Sequence, residues 1–464
     1  MPSRQKQFVV NLQLSLKVMT QAIYSLFWIF VLALALKRHP FFRNLPGLPY
    51  PILLFFFLIK AGAGAAFILI YTYYYESATA DIYRYFNEGK VIYDALWQNP
   101  ADYLRLVTGI EANAPHLNEY YDKMHYWWDP RLFPVYNDNR LVIRYNAILN
   151  LVSFGKIHVN AIIANFVSLA GLVAIYKFAL RQIPYQKLNW IKWGIFLFPS
   201  IIFWGSGLTK EALLIPAMGF FIYYFDRILG PERLTISQYA FFALLFALLL
   251  LLKVYVLLLL LPCLLAFSLS GKIKKIGTGK AFAIVIFGAG LVVLAVSWLF
   301  PQFDPAAILA KRQNAIMQFS VLVNAGSIIH EVYLEPTLKS ILLYSPRALF
   351  NVLFRPHLLE SLNPVIIMAA LENMLIVLFA LTLVFFAFKK KQLNNIEWFG
   401  LWFTLLLFVF IGLTTQVSGT LVRLKIPALP LFWLSLISIV PLEKIEWPRF
   451  LKNFAAKTSK FKTQ

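Results

Sequence analysis

Charge is scarce in this chain. Only 14% of its 464 residues are Asp, Glu, Lys or Arg, while 60% are hydrophobic, a balance that excludes a soluble globular domain and marks a protein that crosses a membrane many times. Cysteine is scarcer still: the one present, Cys263, lies inside an apolar run, so neither a disulfide framework nor a thiolate metal site can be assembled. Acidic residues number 21 against 43 basic ones. The basic excess falls in short clusters between apolar runs, as the positive-inside bias places it, and therefore reports topology and not nucleic acid. The aromatic residues belong to the membrane interface. No P-loop, dinucleotide fingerprint or Ser-His-Asp arrangement is legible.

What the chain does have is a series of apolar runs separated by basic loops. Loops at 181–192, 226–234, 271–280 and 389–395, together with a tail carrying Lys444, Arg449, Lys452, Lys457, Lys460 and Lys462, are expected on the cytoplasmic side. Each interval between them must then hold an even number of crossings. This divides the intervals following the first two loops into two short spans each, broken at 205–210 and at Lys253. Other spans are expected at about 20–36, 51–72, 158–180, 281–300, 364–388, 398–413 and 426–441. The first is followed directly by Lys37 and Arg38, a poor cleavage context, and reads as a retained span with the amino terminus outside. The total is about 11 transmembrane helices, an all-α integral membrane protein forming a single polytopic domain over 1–464. Short interrupted segments suit a binding site, since non-helical backbone at membrane depth persists only where protein or water satisfies it.

The same parity leaves two large extracytoplasmic loops, 76–157 and 301–363. The first holds Glu76, Asp81, Glu88, Asp94, Asp102, Glu111, Glu119, Asp122, Asp129 and Asp138, nearly half of the acidic residues, interleaved with aromatics as in "EYYDKMHYWWDPRLFPVY". Such a segment is expected to form amphipathic helices in the interface that roof a cavity. Close to the same face lie Lys210, Glu211, Lys253, Arg347, Arg355, Glu360, Glu372, Arg423 and Lys425. Glu372 is eight residues into its span, roughly 12 Å deep at helical rise, which points it into the bundle.

Lys210 and Glu211, adjacent in "GSGLTKEALLIPAMGFF", are either an ion pair closing the break between two half-helices or a substrate contact. Lys253 either snorkels at a helix end or binds substrate. A wet pocket with Lys210, Lys253, Arg355, Arg423 and Lys425 as cations suits a phosphate-bearing, lipid-linked substrate, with Glu360 and Glu372 as structural partners of those cations. In "HLNEYYDKMHYWWD", His116, Glu119, Asp122, His125 and Asp129 could hold a divalent cation, although no standard ligand spacing appears.

Three stretches, "FPSIIFWGSGLTKEAL" at 198–213, "LFRPHLLESLNPVIIMAALEN" at 353–373 and "SGTLVRLKIPALPLFWL" at 418–434, resemble segments of bacterial multi-spanning glycosyltransferases of the GT-C type and related polysaccharide-assembly proteins. The resemblance implies a GT-C-like fold that takes a sugar from a polyprenyl-phosphate carrier on the non-cytoplasmic face. It also implies a catalytic carboxylate early in the first large external loop, and the matching position here is Asp81 in "YYYESATADIYRYFNEGK". Where that family more often has paired acids, Asp81 stands without an acidic neighbour.

Sugar transfer from a phosphate carrier requires a base for the acceptor hydroxyl and cations for the departing phosphate. Asp81 fits the first role. Arg355 and Arg423, then Lys210, Glu211, Lys253 and Lys425, are the candidates for substrate and phosphate binding. The implied partners are a polyprenyl-phosphate-linked sugar, a glycan or lipid acceptor and membrane lipids. The implied location is the cytoplasmic membrane of a bacterium, active side out, in cell-envelope glycan assembly. Two other readings share these features: an oligosaccharide repeat-unit polymerase or ligase, and a flippase or transporter of lipid-linked sugar.

Overall fold

The computed structural model describes residues 2–75, 80–127, 137–270, 276–322, 327–329, 333–360, 363–390 and 392–442, with backbone alone over 2–18. Glu76, Asp129 and the basic tail from Lys444 onward lie outside the described residues. Within them the protein is all-α. No strand is present among the described residues, which hold a lone antiparallel bridge between Ile328 and Val417.

The chain divides into two compact units. Unit 1 comprises Met1–Val173 and Ile202–Ala217, and unit 2 comprises Ala174–Ile201 and Met218–Gln464. Unit 1 begins with two long helices, α1 (Pro2–Arg38) and α2 (Tyr50–Tyr73). Pro51 opens α2 in the first turn, where its missing N–H leaves no hydrogen bond unmade. Four shorter helices follow: α3 (Asp81–Gln98), α4 (Pro100–Thr108), α5 (Asn118–Tyr121) and α6 (Asn139–Ser153). In α3 the buried residues Ile82, Tyr85, Phe86, Gly89, Ile92 and Tyr93 recur at helical spacing along one face. That face packs on α6 so closely that a Cβ at Gly89 would lie 2.8 Å from the Ile143 carbonyl oxygen. The amphipathic helices expected for the first loop are thus present. Buried amides join α6 to α7 (Ile157–Gln182), with Asn160 donating to Asn150 at 2.9 Å.

The region expected to form the first broken hairpin contains three helices. These are α8 (Leu188–Phe196), α9 (Pro199–Trp204) and α10 (Lys210–Leu229). Pro199 cannot continue the hydrogen-bond ladder of α8 and restarts it as the short α9. Residues 205–209 are non-helical, and α10 begins at Lys210, where the sequence placed its break. The second interval is α11 (Ile236–Ser270), whose backbone leaves helical geometry at Lys253 with φ −152° and ψ 79°.

Unit 2 continues with α12 (Thr278–Leu299), α13 (Pro305–Leu322), α14 (Leu338–Phe354), α15 (Pro364–Lys389), α16 (Asn395–Thr414), α17 (Ser418–Leu424) and α18 (Leu429–Ile439). Helix ends are closed by side chains. Asn363 caps α15 by accepting from the Val365 N–H at 2.9 Å, and Glu397 in the first turn of α16 accepts from the Asn394 N–H at 2.7 Å. Lys187 donates to the carbonyls of Ile437, Ser438 and Val440 at 2.8 to 2.9 Å, closing the carboxyl end of α18.

Eight helices among the described residues are long and apolar enough to cross a membrane: the Met19–Arg38 part of α1, then α2, α7, α10, α11, α12, α15 and α16. The bent pair α17 and α18, 66° apart, would make a ninth span. The sequence-based total of about 11 also counts the apolar segment of α8 and α9 and splits α11 at Lys253.

Candidate functional site

Asp81 is the first residue of α3, eight positions beyond the end of α2. Its half-buried carboxylate accepts a hydrogen bond from the Tyr126 hydroxyl at 3.0 Å. A carboxylate in the first turn of a helix is favoured in its charged form by the helix dipole. Tyr126 is held from several sides. The Arg84 guanidinium lies 4.5 Å from its ring centroid, Tyr85 meets it edge to face at 5.7 Å, and Asn137 donates to its carbonyl at 2.9 Å.

Glu88, two turns beyond Asp81 on α3, is 6% exposed and accepts from the backbone N–H of Tyr126 at 2.6 Å and of Trp127 at 3.1 Å. It therefore ties this turn to α3. Burial pushes the Glu88 carboxyl up to about 7, with the two backbone donors and Arg84 pulling the other way. The sequence listed Glu88 only among the loop acids. Its burial was hidden because α3 and the turn at 126–127 meet only in the fold.

Lys210, the first residue of α10, makes a 2.6 Å ion pair with Asp138, which immediately precedes α6. Both are largely buried, with side chains 9% and 16% exposed. The carboxylate at this distance is thus one from the segment between α2 and α6, 72 residues upstream. Glu211 is buried beside it in the first turn of α10. Asp81, Glu88, Asp138, Lys210 and Glu211 all belong to unit 1.

One buried charged residue of this unit escaped the sequence analysis. Lys60, in the middle of α2, is 1% exposed and donates to the Gly205 carbonyl at 2.9 Å. It thereby satisfies backbone at the end of α9, where the chain leaves the helix. Nearby, Asn165 donates to the Lys60 carbonyl at 3.0 Å. Gly64, one turn on, has no room for a side chain: a Cβ there would lie 2.4 Å from Asn165 Nδ2 and 2.8 Å from the Ser206 carbonyl oxygen. A lone lysine within "KAGAGAAFILI" was the signal that could have revealed it, since a cation there has to face protein.

The remaining predicted residues belong to unit 2. Arg355 follows α14, and its Nε lies 3.6 Å from Glu360 Oε1, an oxygen that His357 Nε2 approaches at 3.3 Å. The other Glu360 oxygen accepts from Ser418 at the start of α17, at 3.4 Å. Arg355, Glu360 and α17 are therefore brought together, and Arg423 lies half-buried in the last turn of that helix.

Lys425 is 1% exposed and donates to the Val352 carbonyl at 3.1 Å and to the Asn373 side chain. Its ammonium closes the carboxyl end of α14 from inside the protein. Glu372 accepts from the Ser200 N–H at 2.7 Å and hydroxyl at 2.6 Å, capping the amino end of α9. Lys253 sits at the break in α11. Tyr255, two residues on, stacks on Phe410 at 4.7 Å, with the Arg312 guanidinium 5.5 Å from the Tyr255 ring.

Of the acid and histidine cluster in the first loop, His116 contacts Asp102 at 2.9 Å, and Asp102 also pairs with Arg105 at 3.0 Å. Among the described residues no group of three or more His, Cys, Asp or Glu is placed to hold a metal ion.

In comparisons with known proteins, no family model, no curated protein and no solved structure matches this chain.

Proposed function

We propose that this protein is a membrane glycosyltransferase that moves a sugar from a polyprenyl-phosphate donor to an extracytoplasmic acceptor in cell-envelope glycan assembly. The observation that carries the reading is the setting of Asp81. It is a half-buried carboxylate in the first turn of an amphipathic helix just past a membrane-spanning segment, oriented by the Tyr126 hydroxyl at 3.0 Å. A base for an acceptor hydroxyl needs that combination of charge, partial access and fixed geometry. Within unit 2, Arg355 and Arg423 have the planar guanidinium groups suited to binding a phosphate, with Lys253 as a further cation. Lys425 and Glu372 are left to the structural roles that their partners describe.

This reading includes a GT-C-like arrangement of about eleven spans. The crossings beyond the eight long helices come from the α8 and α9 segment, the two halves of α11, and the bent pair α17 and α18. It places the protein in a bacterial cytoplasmic membrane with α3 to α6 outside.

The test is sugar transfer by the purified chain in lipid nanodiscs, supplied with a radiolabelled polyprenyl-phosphate sugar and a lipid extract as acceptor. Asp81→Asn is expected to lower turnover by about 10² to 10⁴ with donor affinity little changed. Tyr126→Phe should retain the base and lose about tenfold through its orientation. Full transfer by Asp81→Asn would remove the base assignment. Movement of the lipid-linked sugar across the bilayer with no glycosidic bond made would replace the transferase with a transporter.

A further inference from the structure

Unit 1 contains a cavity of about 410 Å³ between α1, α2 and α7, a size common for small-molecule sites, about 300 to 1,000 Å³. Its walls change character along their length. Ala161 and Ala164 of α7 share a core with Phe67 and Ile68 of α2, and the Tyr24 hydroxyl of α1 donates to the Val152 carbonyl shortly before α7, which puts Gln21, Ser25 and His158 toward the Ile68 end of the cavity and Leu58 toward the other. Asn165 sets the register of α7 through its bond to the Lys60 carbonyl. His158, seven residues earlier, therefore lies toward the carboxyl end of α2. The cavity has a polar end lined by Gln21, Ser25 and His158, and beyond it an apolar trough of Ile29, Leu58, Ala61, Gly62 and Ala65.

Two further properties identify an occupant. Basic groups stand next to the polar end: Lys156 immediately precedes the 26-residue helix α7, whose amino end is itself electropositive, and the Lys90 side chain passes 3.7 Å from the Cβ position of Gly155. The trough is also short. Leu58 to Ile68 spans ten residues, about 15 Å at helical rise, which is half of a hydrocarbon core about 30 Å thick. That is the reach of one acyl chain within one leaflet, and it is too short for the length of a long polyprenyl chain. Gly62 and Ala65 are exposed, and a Cβ on Gly62 would meet nothing within 4 Å, so the trough is open from the surrounding lipid.

We infer that this cavity is a binding site for one anionic bilayer phospholipid, with an acyl chain lying along Gly62 and Ala65 and the phosphate held at the amino end of α7 by His158, Lys156 and Lys90. The lipid would tie α1, of whose spanning window only 11% is buried, to the rest of the unit. The site uses none of the residues assigned to sugar transfer and stands whether or not the chain transfers sugar.

Native mass spectrometry of the full chain in detergent, titrated with dioleoylphosphatidylglycerol and dioleoylphosphatidylcholine, tests it. The wild type is expected to bind one phosphatidylglycerol about tenfold more tightly than phosphatidylcholine. Gly62→Phe, which projects a ring into the open trough, should weaken phosphatidylglycerol binding about tenfold. Gly288→Phe, at an equally open position on α12, should leave it unchanged. The double substitution Lys90→Ala and Lys156→Ala should bring the two lipids to within about twofold of each other. Equal binding of the two lipids by the wild type, or unchanged binding by a folded Gly62→Phe, overturns the inference. So does displacement of phosphatidylglycerol by an equimolar polyprenyl phosphate, which would give the trough to that lipid instead. Should Gly62→Phe not fold, the wild-type lipid ratio and the lysine variants decide.

Discussion

The Asp138–Lys210 pair offers a quantitative test of how the start of α6 is fastened to α10. Its side chains are 9% and 16% exposed and 2.6 Å apart, and removing one partner of such a pair costs roughly 3 to 5 kcal/mol when burial is complete. With the exposure seen here, about 2 to 4 kcal/mol is expected for each single substitution. The two are not equivalent, because both residues sit at helix amino termini. In Lys210→Met, Asp138 stays at the start of α6, where the helix dipole favours an anion. In Asp138→Asn, the ammonium stays at the start of α10, where the dipole disfavours a cation. Each dipole effect is about 0.3 to 1 kcal/mol, so Asp138→Asn should be the more damaging by about 0.6 to 2 kcal/mol. The double variant should cost less than the sum of the singles by about 1 to 3 kcal/mol. Equilibrium unfolding in mixed dodecyl maltoside and SDS micelles, followed by tryptophan fluorescence, reads all four proteins. A coupling under about 0.5 kcal/mol, or Lys210→Met as the more damaging single change, would refute this account.

Two other expectations concern unit 1. The Glu88 carboxyl is raised from the ordinary glutamate value of 4.5 to about 7 in the folded protein. Its contribution to stability is therefore full below pH 4.5 and is lost as the pH rises through about 7. The fold should be more stable at pH 5 than at pH 8, and Glu88→Gln should flatten that slope in the same unfolding assay. On α2, Gly64→Ala places a methyl group 2.8 Å from a carbonyl oxygen and 2.4 Å from Asn165 and should cost roughly 1 to 3 kcal/mol. Gly62→Ala, with open space around it, should be neutral or gain up to about 1 kcal/mol through helix propensity. Equal effects at the two positions would mean that α2 does not clamp residues 205–209 as described.

Much of the architecture was legible in the sequence because membrane spans are local. Runs such as "FFALLFALLLLL" need only their own composition to be apolar helices, and the interruptions at 205–209 and Lys253 were visible as polar residues or glycines within such runs. The amphipathic helices of 76–157 followed in the same way from a local composition of acids interleaved with aromatics. The subdivision of the first interval into α8, α9 and α10 was not anticipated, since counting basic loops constrains the number of crossings and says nothing of a restart at Pro199.

What the sequence determined by itself was that this chain is an all-α protein of many apolar helices with nearly half of its acids in one loop, because hydropathy and charge act residue by residue. Only the tertiary structure decided the partners: Asp138 for Lys210, the Gly205 carbonyl for Lys60, the Ser200 backbone and hydroxyl for Glu372, and the Tyr126 hydroxyl for Asp81. These pairs join positions 45 to 172 residues apart. Charge placed in an apolar setting dictates that a partner must exist, and the packing of helices that are distant in sequence selects which one it is.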